Sequence, residues 1–200
     1  VMTLIRRPTS TDADDVAQVY ANETFQARAV VTDVHASSTI AGGAVTFTYG
    51  STTTVSYTDA AGLATATFNA GLSSGTYRYS AVFGQTITYF LSKDTEPAVN
   101  VSSRPTHILT SAAGPVTADS FVTLTATMTD VRDGGSPVAE RTVLFTYRGN
   151  TVTGVTDIIG VASATFGSGH STGTYEYDAA FAGDATYASF AASETVTVVQ

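Results

Sequence analysis

The feature that most constrains the fold is an internal repeat at a nearly constant separation. Phe47-Thr48-Tyr49 recurs as Phe145-Thr146-Tyr147, and Tyr77 recurs as Tyr175, each 98 residues further along the chain. Upstream, the segment 19–33 recurs 97 residues later. An ungapped match of this length indicates a duplication. The 200 residues are therefore expected to fold as two copies of one unit.

Each copy shows apolar and polar residues alternating with a period of two. In the first copy Val45, Phe47 and Tyr49 alternate with threonines, and the same alternation surrounds Phe68 and Phe83. Since successive side chains of a strand point to opposite faces, each such segment has one apolar face. The pattern predicts antiparallel sheets packed face to face. The rings expected between them are Phe47, Phe68, Tyr79, Phe83, Phe145, Phe166, Tyr177 and Phe181.

The predicted fold class is all-β, with two tandem immunoglobulin-like antiparallel β-sandwiches of about seven strands each. The first domain is expected to span residues 1–103, beginning with a strand near 2–5 and containing an insertion near 6–18 that the second copy lacks. The second domain is expected to span residues 104–200. A short linker at 102–106 is expected to join the two domains.

The bulk composition excludes several functions. The net charge is −8 and the pI about 4.6, with Lys93 as the only lysine, so nucleic-acid binding is not expected. The chain has no cysteine, which excludes disulfides, thiolate zinc sites and cysteine catalysis. No stretch approaches the length of about 18 apolar residues that a spanning helix needs, so membrane insertion is not expected either.

A set of short motifs in the second copy resembles a known family. Thr156-Asp157-x-x-Gly160-x-Ala162 is followed by Gly173-Thr174-Tyr175-x-Tyr177 and by the run Phe181 to Tyr187. These motifs and their counterparts in the first copy resemble the bacterial Ig-like repeat family, whose modules are strung along the stalks of surface proteins and adhesins. The resemblance implies an extracellular location, at the cell surface or in secreted form. The first copy departs from the family pattern at Gly84 to Tyr89.

Several recurring residues are predicted to serve structure rather than chemistry. The segment Leu72-x-x-Gly75-Thr76-Tyr77 resembles a tyrosine corner, in which a tyrosine hydroxyl bonds back to the loop that precedes it. The Thr-Asp-x-x-Gly motifs predict hairpin turns, in which glycine supplies backbone freedom. The structural residues predicted on this basis are Tyr77, Tyr175, Asp59, Asp157, Gly62 and Gly160.

One motif imitates a hydrolase signature. The segments Gly71–Gly75 and Gly169–Gly173 both fit the G-x-S-x-G pattern of a nucleophile elbow, with Leu72 in the first and His170 in the second. That elbow requires a turn from a strand into a helix. Both segments lead instead into an alternating strand pattern, so a loop between strands is the favoured interpretation. No catalytic residue is predicted, and the chain is not expected to be an enzyme.

Two further sets of residues are candidates for a ligand or a modification. Asp12, Asp14 and Asp15 form a dense acidic cluster, for which calcium is the cofactor considered. The segment lacks the glycine and terminal glutamate of an EF-hand loop, and solvated loop carboxylates are the alternative interpretation. No other metal or cofactor is expected. Asn22 and Asn100 lie in glycosylation sequons.

The leading functional hypothesis is a non-enzymatic spacer or stalk, whose partners are neighbouring domains or subunits of the same surface protein or filament. One alternative is a filament subunit that assembles by strand exchange, using Met2, Leu4 and Ile5. Another is an adhesin or glycan-binding module that contacts a host or cell surface. The first copy is expected to carry such contacts, because Val1–Ile5, the insertion and the segment Gln85–Phe90 distinguish it from the second.

Overall fold

The computed structural model describes residues 5–71, 73–169 and 171–200 of a chain that divides into two compact units. Unit 1 is Val1–Ser102 and unit 2 is Ser103–Gln200. In the described part, regular structure is almost entirely strand, with one turn of 3-10 helix at Val131–Asp133. The predicted all-β class is confirmed. No described helix has the length and hydrophobicity needed to span a membrane.

The described residues form ten strands in unit 1 and nine in unit 2. Unit 1 contains β1 (Thr9–Ala13), β2 (Val16–Tyr20), β3 (Thr24–Asp33), β4 (Ser38–Thr39), β5 (Ala44–Tyr49), β6 (Thr52–Tyr57), β7 (Leu63–Asn69), β8 (Gly75–Phe83), β9 (Ser92–Asp94) and β10 (Ala98–Ser102). Unit 2 contains β11 (Thr106–Thr110), β12 (Ala113–Thr117), β13 (Phe121–Asp130), β14 (Ser136–Pro137), β15 (Thr142–Tyr147), β16 (Asn150–Val155), β17 (Val161–Gly167), β18 (Gly173–Phe181) and β19 (Phe190–Val199).

Each unit is a sandwich of two sheets. In unit 1, β3 pairs with β1, β4 and β7, and the second sheet has the order β2-β10-β8-β5-β6 with β9 also on β8. In unit 2, β13 pairs with β11, β14 and β17, and the second sheet has the order β12-β19-β18-β15-β16. Among the described strands, the pairs β2–β10 and β12–β19 are parallel and the others antiparallel. This is the predicted immunoglobulin-like arrangement.

The first strand of each unit is divided between the two sheets. In unit 1, β1 pairs with β3 in one sheet, and β2 then pairs with β10 in the other. In unit 2, β11 and β12 repeat this division 97 residues later. The prediction of an insertion near 6–18 is therefore wrong. Those residues contain β1 and the start of β2, which correspond to β11 and β12 of unit 2. The repeat already includes Arg7-Pro8-Thr9, which recurs as Arg104-Pro105-Thr106.

Two other boundary predictions change with this correction. The residues predicted as a linker, 102–106, contain the end of β10 and the first residues of the second repeat. The strand predicted near 2–5 falls mainly on Val1–Leu4, which lie outside the described residues. The first described strand begins at Thr9.

The predicted aromatic core is confirmed in both units. Phe47 and Phe145 are completely buried, and the other six predicted rings are at most 6% exposed. Phe25, which the alternation argument did not single out, packs edge-on against Tyr49 with ring centroids 5.1 Å apart. The counterpart of Phe25 in unit 2 is Val122, which is also buried. The duplicated rings thus form the common centre of both cores, and the residues around them vary.

Removal of a central ring is expected to destabilise its unit strongly. Phe145→Ala leaves a cavity in a packed core and should lower the free energy of unfolding of unit 2 by about 3–5 kcal/mol. Phe121→Ala removes the same ring where it is 79% exposed, and should change that free energy by less than about 0.5 kcal/mol. Urea unfolding followed by circular dichroism measures both. Equal losses in the two variants would contradict the burial of Phe145.

Candidate functional site

A buried tyrosine of the second sheet holds the point where the first strand changes sheets. In unit 1 the hydroxyl of Tyr79 donates to the carbonyl of Asp14 at 2.6 Å, and the carbonyl of Arg28 is 3.0 Å away. In unit 2 the hydroxyl of Tyr177 donates to the carbonyl of Ser111 at 2.8 Å. Ser111 and Asp14 occupy the same place between the two halves of the first strand. The hydroxyl therefore donates to a backbone carbonyl at the sheet switch, the point where the first strand passes from one sheet to the other.

Burial changes the acidity of these tyrosines. Desolvation raises the pKa of Tyr79 to about 12, with the hydrogen bond to Arg28 opposing the rise and the carboxylates of Asp14, Asp94 and Asp15 adding to it. Burial also raises the pKa of Tyr177. A neutral phenol with a raised pKa in a packed core serves as a hydrogen-bond donor, and it is poorly suited to act as a base near neutral pH.

An arginine–aspartate pair holds the N-terminal end of the first strand in each unit, away from the point where that strand changes sheets. Arg7 Nε lies 2.8 Å from Asp33 Oδ2, and Arg104 Nε lies 2.5 Å from Asp130 Oδ2. Both carboxylates are buried and also accept backbone N–H groups of the turn that follows, from His35 in unit 1 and from Arg132 in unit 2. The pair therefore ties the start of the unit to the end of its longest strand in that sheet.

The sequence motifs do not predict this arginine–aspartate pair. Its partners lie 26 residues apart in each copy, and neither belongs to a motif that was singled out. The recurrence of Arg-Pro-Thr at Arg7–Thr9 and Arg104–Thr106 was the available signal. It would also have shown that the repeat starts before residue 19.

The Thr-Asp-x-x-Gly segments form tight turns in which the aspartate caps the backbone. Asp157 Oδ1 accepts the N–H groups of Ile159 at 3.0 Å and Val161 at 2.9 Å, and Asp59 makes the equivalent pair of bonds in unit 1. Gly62 and Gly160 have φ of +74° and +78°. These carboxylates are committed to backbone amides, which is a turn-forming role.

The two tyrosine corners have the hydrogen bond that the motif requires. The hydroxyl of Tyr77 donates to the carbonyl of Ser73 at 3.1 Å, and that of Tyr175 donates to the carbonyl of Ser171 at 3.1 Å. Tyr77 is 37% exposed, so part of its ring is open to solvent.

The G-x-S-x-G segments lie beside these corners. Leu72 and His170, which they contain, lie outside the described residues. Both segments lead directly into strands, β8 and β18, and neither is followed by a helix in the described part of the chain. The strand-to-helix turn of a nucleophile elbow is therefore not formed.

The acidic cluster does not form a metal centre. Asp12, Asp14 and Asp15 are exposed, and Asp15 Oδ1 accepts the backbone N–H of Ala98 at 2.6 Å. Asp94 Oδ2 likewise accepts the N–H of Ala13 at 3.1 Å. Within the described ranges, no three His, Asp or Glu side chains come together as possible ligands. The calcium hypothesis for this cluster therefore has no support from the geometry.

The predicted modification and assembly residues lie at the surface where they are described. Asn22 is exposed in the turn between β2 and β3, with φ of +62°. Asn100 is exposed on β10, and its Oδ1 accepts the hydroxyl of Thr76 at 2.9 Å. Ile5 is 78% exposed, whereas Met2 and Leu4 lie outside the described residues. Glycosylation at the two asparagines and assembly through 2–5 stay predictions.

The segment 85–90, predicted to distinguish the first copy, forms the same turn as its counterpart. In unit 2, Asp184 Oδ1 accepts the N–H groups of Thr186 and Tyr187, each at 2.7 Å. In unit 1, Thr86 Oγ1 accepts the N–H groups of the equivalent residues at 3.1 and 2.9 Å. Hydroxyl and carboxylate oxygens can both cap such a turn. The capped turn is therefore the same in both copies, although Gly183 has a φ of +86° and its counterpart Gln85 does not have a positive φ.

Comparison with known proteins gives similarity at the level of fold. No family model matches the chain, and no curated protein matches it. Solved structures that resemble it include a 1.5-MDa bacterial ice-binding adhesin, at 16% identity and a TM-score of 0.41 over 96% of this chain and 65% of that one. The Escherichia coli adhesin FdeC gives 21% identity and a TM-score of 0.40 over 96% and 63%. The chain thus spans less than two thirds of these adhesin chains.

Domains of titin give a similar result. The titin domains z1z2, in a complex with telethonin, are 16% identical with a TM-score of 0.48 over 94% of this chain and 95% of that one. Likeness at these levels carries no argument about activity. The class of protein is defined by the fold and contacts described above: a tandem of two immunoglobulin-like sandwiches whose recurring polar residues hold strand ends and turns.

Alkaline pH is expected to destabilise unit 1 through Tyr79. The pKa rises from 10.0 in the unfolded chain to about 12 in the folded unit, so the folded state holds the phenol proton more tightly. The resulting stabilisation is complete below pH 10 and is lost as the pH rises through about 12. Urea unfolding at a series of alkaline pH values should show this decline in the wild type and a weaker decline in Tyr79→Phe.

The control for this experiment is Tyr57→Phe, which alters a ring that is 69% exposed. It should retain the wild-type pH dependence. Tyr79→Phe should also lose about 1 kcal/mol at neutral pH, because the carbonyl of Asp14 loses its donor. A Tyr79→Phe variant with the full alkaline decline would show that this hydroxyl is not the group responsible.

Gly160 and Gly149 offer a matched test of the turn geometry, since both have φ of +78°. A Cβ at Gly160 would lie 2.5 Å from the carbonyl oxygen of Met128, whereas a Cβ at Gly149 would meet nothing within 4 Å. Gly149→Ala should cost about 1–2 kcal/mol through left-handed strain. Gly160→Ala should add about 1–3 kcal/mol of overpacking to that. Equal losses in urea unfolding would contradict the close approach at Gly160.

Proposed function

We propose that the chain is a pair of non-enzymatic structural modules, serving as a spacer or stalk in a cell-surface or secreted protein. The observation that carries this proposal is the parallel pairing of the entry and exit strands. In unit 1, β2 pairs with β10 through Val16↔Val99 and Val19↔Val101. In unit 2, β12 pairs with β19 in the same parallel sense. The chain therefore enters each unit at one end of the sandwich and leaves it at the other end.

This pairing determines how tension would act on a unit. A force on the two termini pulls β2 and β10 in opposite directions along their own axes. The hydrogen bonds between parallel strands run across that direction, so the bonds of the pair are loaded together in shear. A unit that must lose several hydrogen bonds at once has a high barrier to forced unfolding, and that barrier sets the rate. Such a unit is suited to hold another part of a protein at a distance.

The non-enzymatic part of the proposal is supported by the recurring polar side chains. Asp59, Asp157 and Asp33 accept backbone N–H groups of turns, and Tyr79 and Tyr177 donate to backbone carbonyls. A catalytic acid, base or nucleophile has to present its polar atom to a substrate. The duplicated residues are committed to the fold instead.

The extracellular part of the proposal is supported by the family resemblance and by the surface charge. An acidic chain with a net charge of −8 and a single lysine resists nonspecific association with other acidic surfaces. The filament alternative depends on the segment Val1–Ile5 and stays a prediction. A recognition role has one specific observation in its favour, a pocket of unit 1 lined by Tyr49 and Tyr77.

The load-bearing role can be tested by pulling the chain in two directions. The chain has no cysteine, so handles can be attached through introduced ones. Ile5→Cys with Gln200→Cys pulls both units from their ends. Phe121→Cys with Gln200→Cys pulls unit 2 from two points at one end, which should unzip β12 from β19 one bond at a time.

We expect markedly higher rupture forces with the terminal handles in single-molecule force spectroscopy. Thermal unfolding of each double variant, measured without load, controls for loss of stability. Equal rupture forces in the two directions would remove the basis for a load-bearing spacer.

A further inference from the structure

A pocket of about 330 Å³ opens at one end of unit 1, between the β5–β6 turn and the loop before β8. Its walls include the rings of Tyr49 and Tyr77, which meet edge to face with centroids 6.3 Å apart. Gly50 in the turn and Gly71 in the loop also line it, without side chains to fill it. The hydroxyl of Tyr49 donates to the carbonyl of Ala70 at 2.9 Å. The pocket thus combines an accessible aromatic ring with backbone groups.

The equivalent place in unit 2 is filled by an arginine. Arg148 stands 98 residues after Gly50, and its guanidinium carbon lies 4.1 Å from the ring centroid of Tyr175. Its Nη1 donates to the carbonyl of Ser168 at 3.2 Å. The same Nη1 lies 2.9 Å from the place where a Cβ on Gly169 would be. In unit 2 this place is therefore occupied by Arg148 of the same unit, which stacks on the ring of Tyr175 and donates a hydrogen bond to the carbonyl of Ser168.

Unit 1 keeps the groups that hold this arginine but lacks the arginine itself. Tyr77 corresponds to Tyr175, Ala70 to Ser168 and Gly71 to Gly169, each at a separation of 98 residues. A carbonyl has two lone pairs. That of Ser168 accepts both the Tyr147 hydroxyl at 3.3 Å and the Arg148 guanidinium. The carbonyl of Ala70 accepts the Tyr49 hydroxyl and has the same capacity for a second donor.

We propose that the pocket of unit 1 binds a guanidinium group, presented by an arginine side chain of a partner protein. The face of Tyr77 attracts a cation through its ring quadrupole, and the carbonyl of Ala70 accepts a charge-assisted hydrogen bond. A planar guanidinium can lie flat on the ring while its in-plane N–H groups donate, whereas a tetrahedral ammonium group has no flat face to stack. The occupant is assigned to a protein side chain because Arg148, which fills the same place in unit 2, is one.

One residue of the pocket opposes a cation. Arg78 lines it, and its guanidinium pairs with the carboxylate of Glu96 at 3.0 Å between two exposed side chains. The equivalent position in unit 2 holds Glu176. Because solvent screens this exposed ion pair, Glu96 offsets only part of the positive charge of Arg78. Arg78→Glu should therefore tighten guanidinium binding, most clearly at low salt.

Binding is tested by nuclear magnetic resonance titration of the full chain with N-acetyl-arginine amide, which imitates an arginine within a peptide. We expect saturable shifts of the amide signals of Tyr49, Gly71 and Tyr77, with weaker binding of N-acetyl-lysine amide. Tyr77→Leu should weaken arginine binding about two- to fivefold, the loss expected for a cation–π contact at a partly exposed ring. Absence of a saturable shift, or equal binding of the two ligands, would overturn the proposal.

Exchange of the turn between the copies gives the sharper test. Gly50→Arg with Ser51→Gly installs the Arg148-Gly149 turn in unit 1 and should abolish binding by filling the pocket. Gly50→Asn with Ser51→Gly is the matched control, because it favours the same hairpin turn without a guanidinium and should bind like the wild type.

The reverse exchange should create a site. Arg148→Gly empties the place on Tyr175 and is expected to raise the stoichiometry from one bound ligand per chain to two. Urea unfolding of each variant shows whether its units are folded. Unchanged binding in Gly50→Arg with Ser51→Gly would overturn the proposal. Tighter binding of free arginine than of the capped form would assign the pocket to a small molecule and overturn the partner-protein source.

Discussion

The architecture of each unit depends on a buried phenol hydroxyl. Where the first strand leaves one sheet for the other, its carbonyl loses a ladder partner, and a part-buried carbonyl without a donor is costly. Tyr79 in unit 1 and Tyr177 in unit 2 supply the missing donor. Because the switch is held there, β2 can run beside β10 in parallel, and β12 beside β19. The path of the chain through each unit follows from that contact.

The core and fold class could be predicted because they depend on local pattern. A period of two places Phe47, Phe145 and the other large rings on one face of their strands, whatever the surrounding sequence. The division of the first strand could not be predicted in this way. β1 and β2 are short edge strands, and between residues 10 and 18 the copies share backbone positions but no identical residue. The missing similarity predicts an insertion, although the backbone is duplicated there too.

The same contrast applies to the candidate sites. The turns at Gly62 and Gly160 could be predicted because a left-handed backbone favours glycine. The turn at Thr86 could not be matched to that at Asp184, because two different side-chain oxygens accept the same amides. The pocket beside Tyr77 was hidden for another reason. Gly50 has no side chain to fill this pocket. That becomes visible only in the structure, where Arg148, the counterpart of Gly50 in unit 2, stacks on the ring of Tyr175.

The arginine–aspartate pair bears on how a protein of this kind can change length during evolution. Arg7 and Asp33 belong to unit 1, and Arg104 and Asp130 to unit 2, so each first strand is closed by residues of its own repeat. The hydroxyl contacts of Tyr79 and Tyr177 are internal in the same way. Recombination that adds or deletes one whole repeat therefore leaves every remaining copy with its complete set of closing contacts. Copy number can therefore vary without any change to a core.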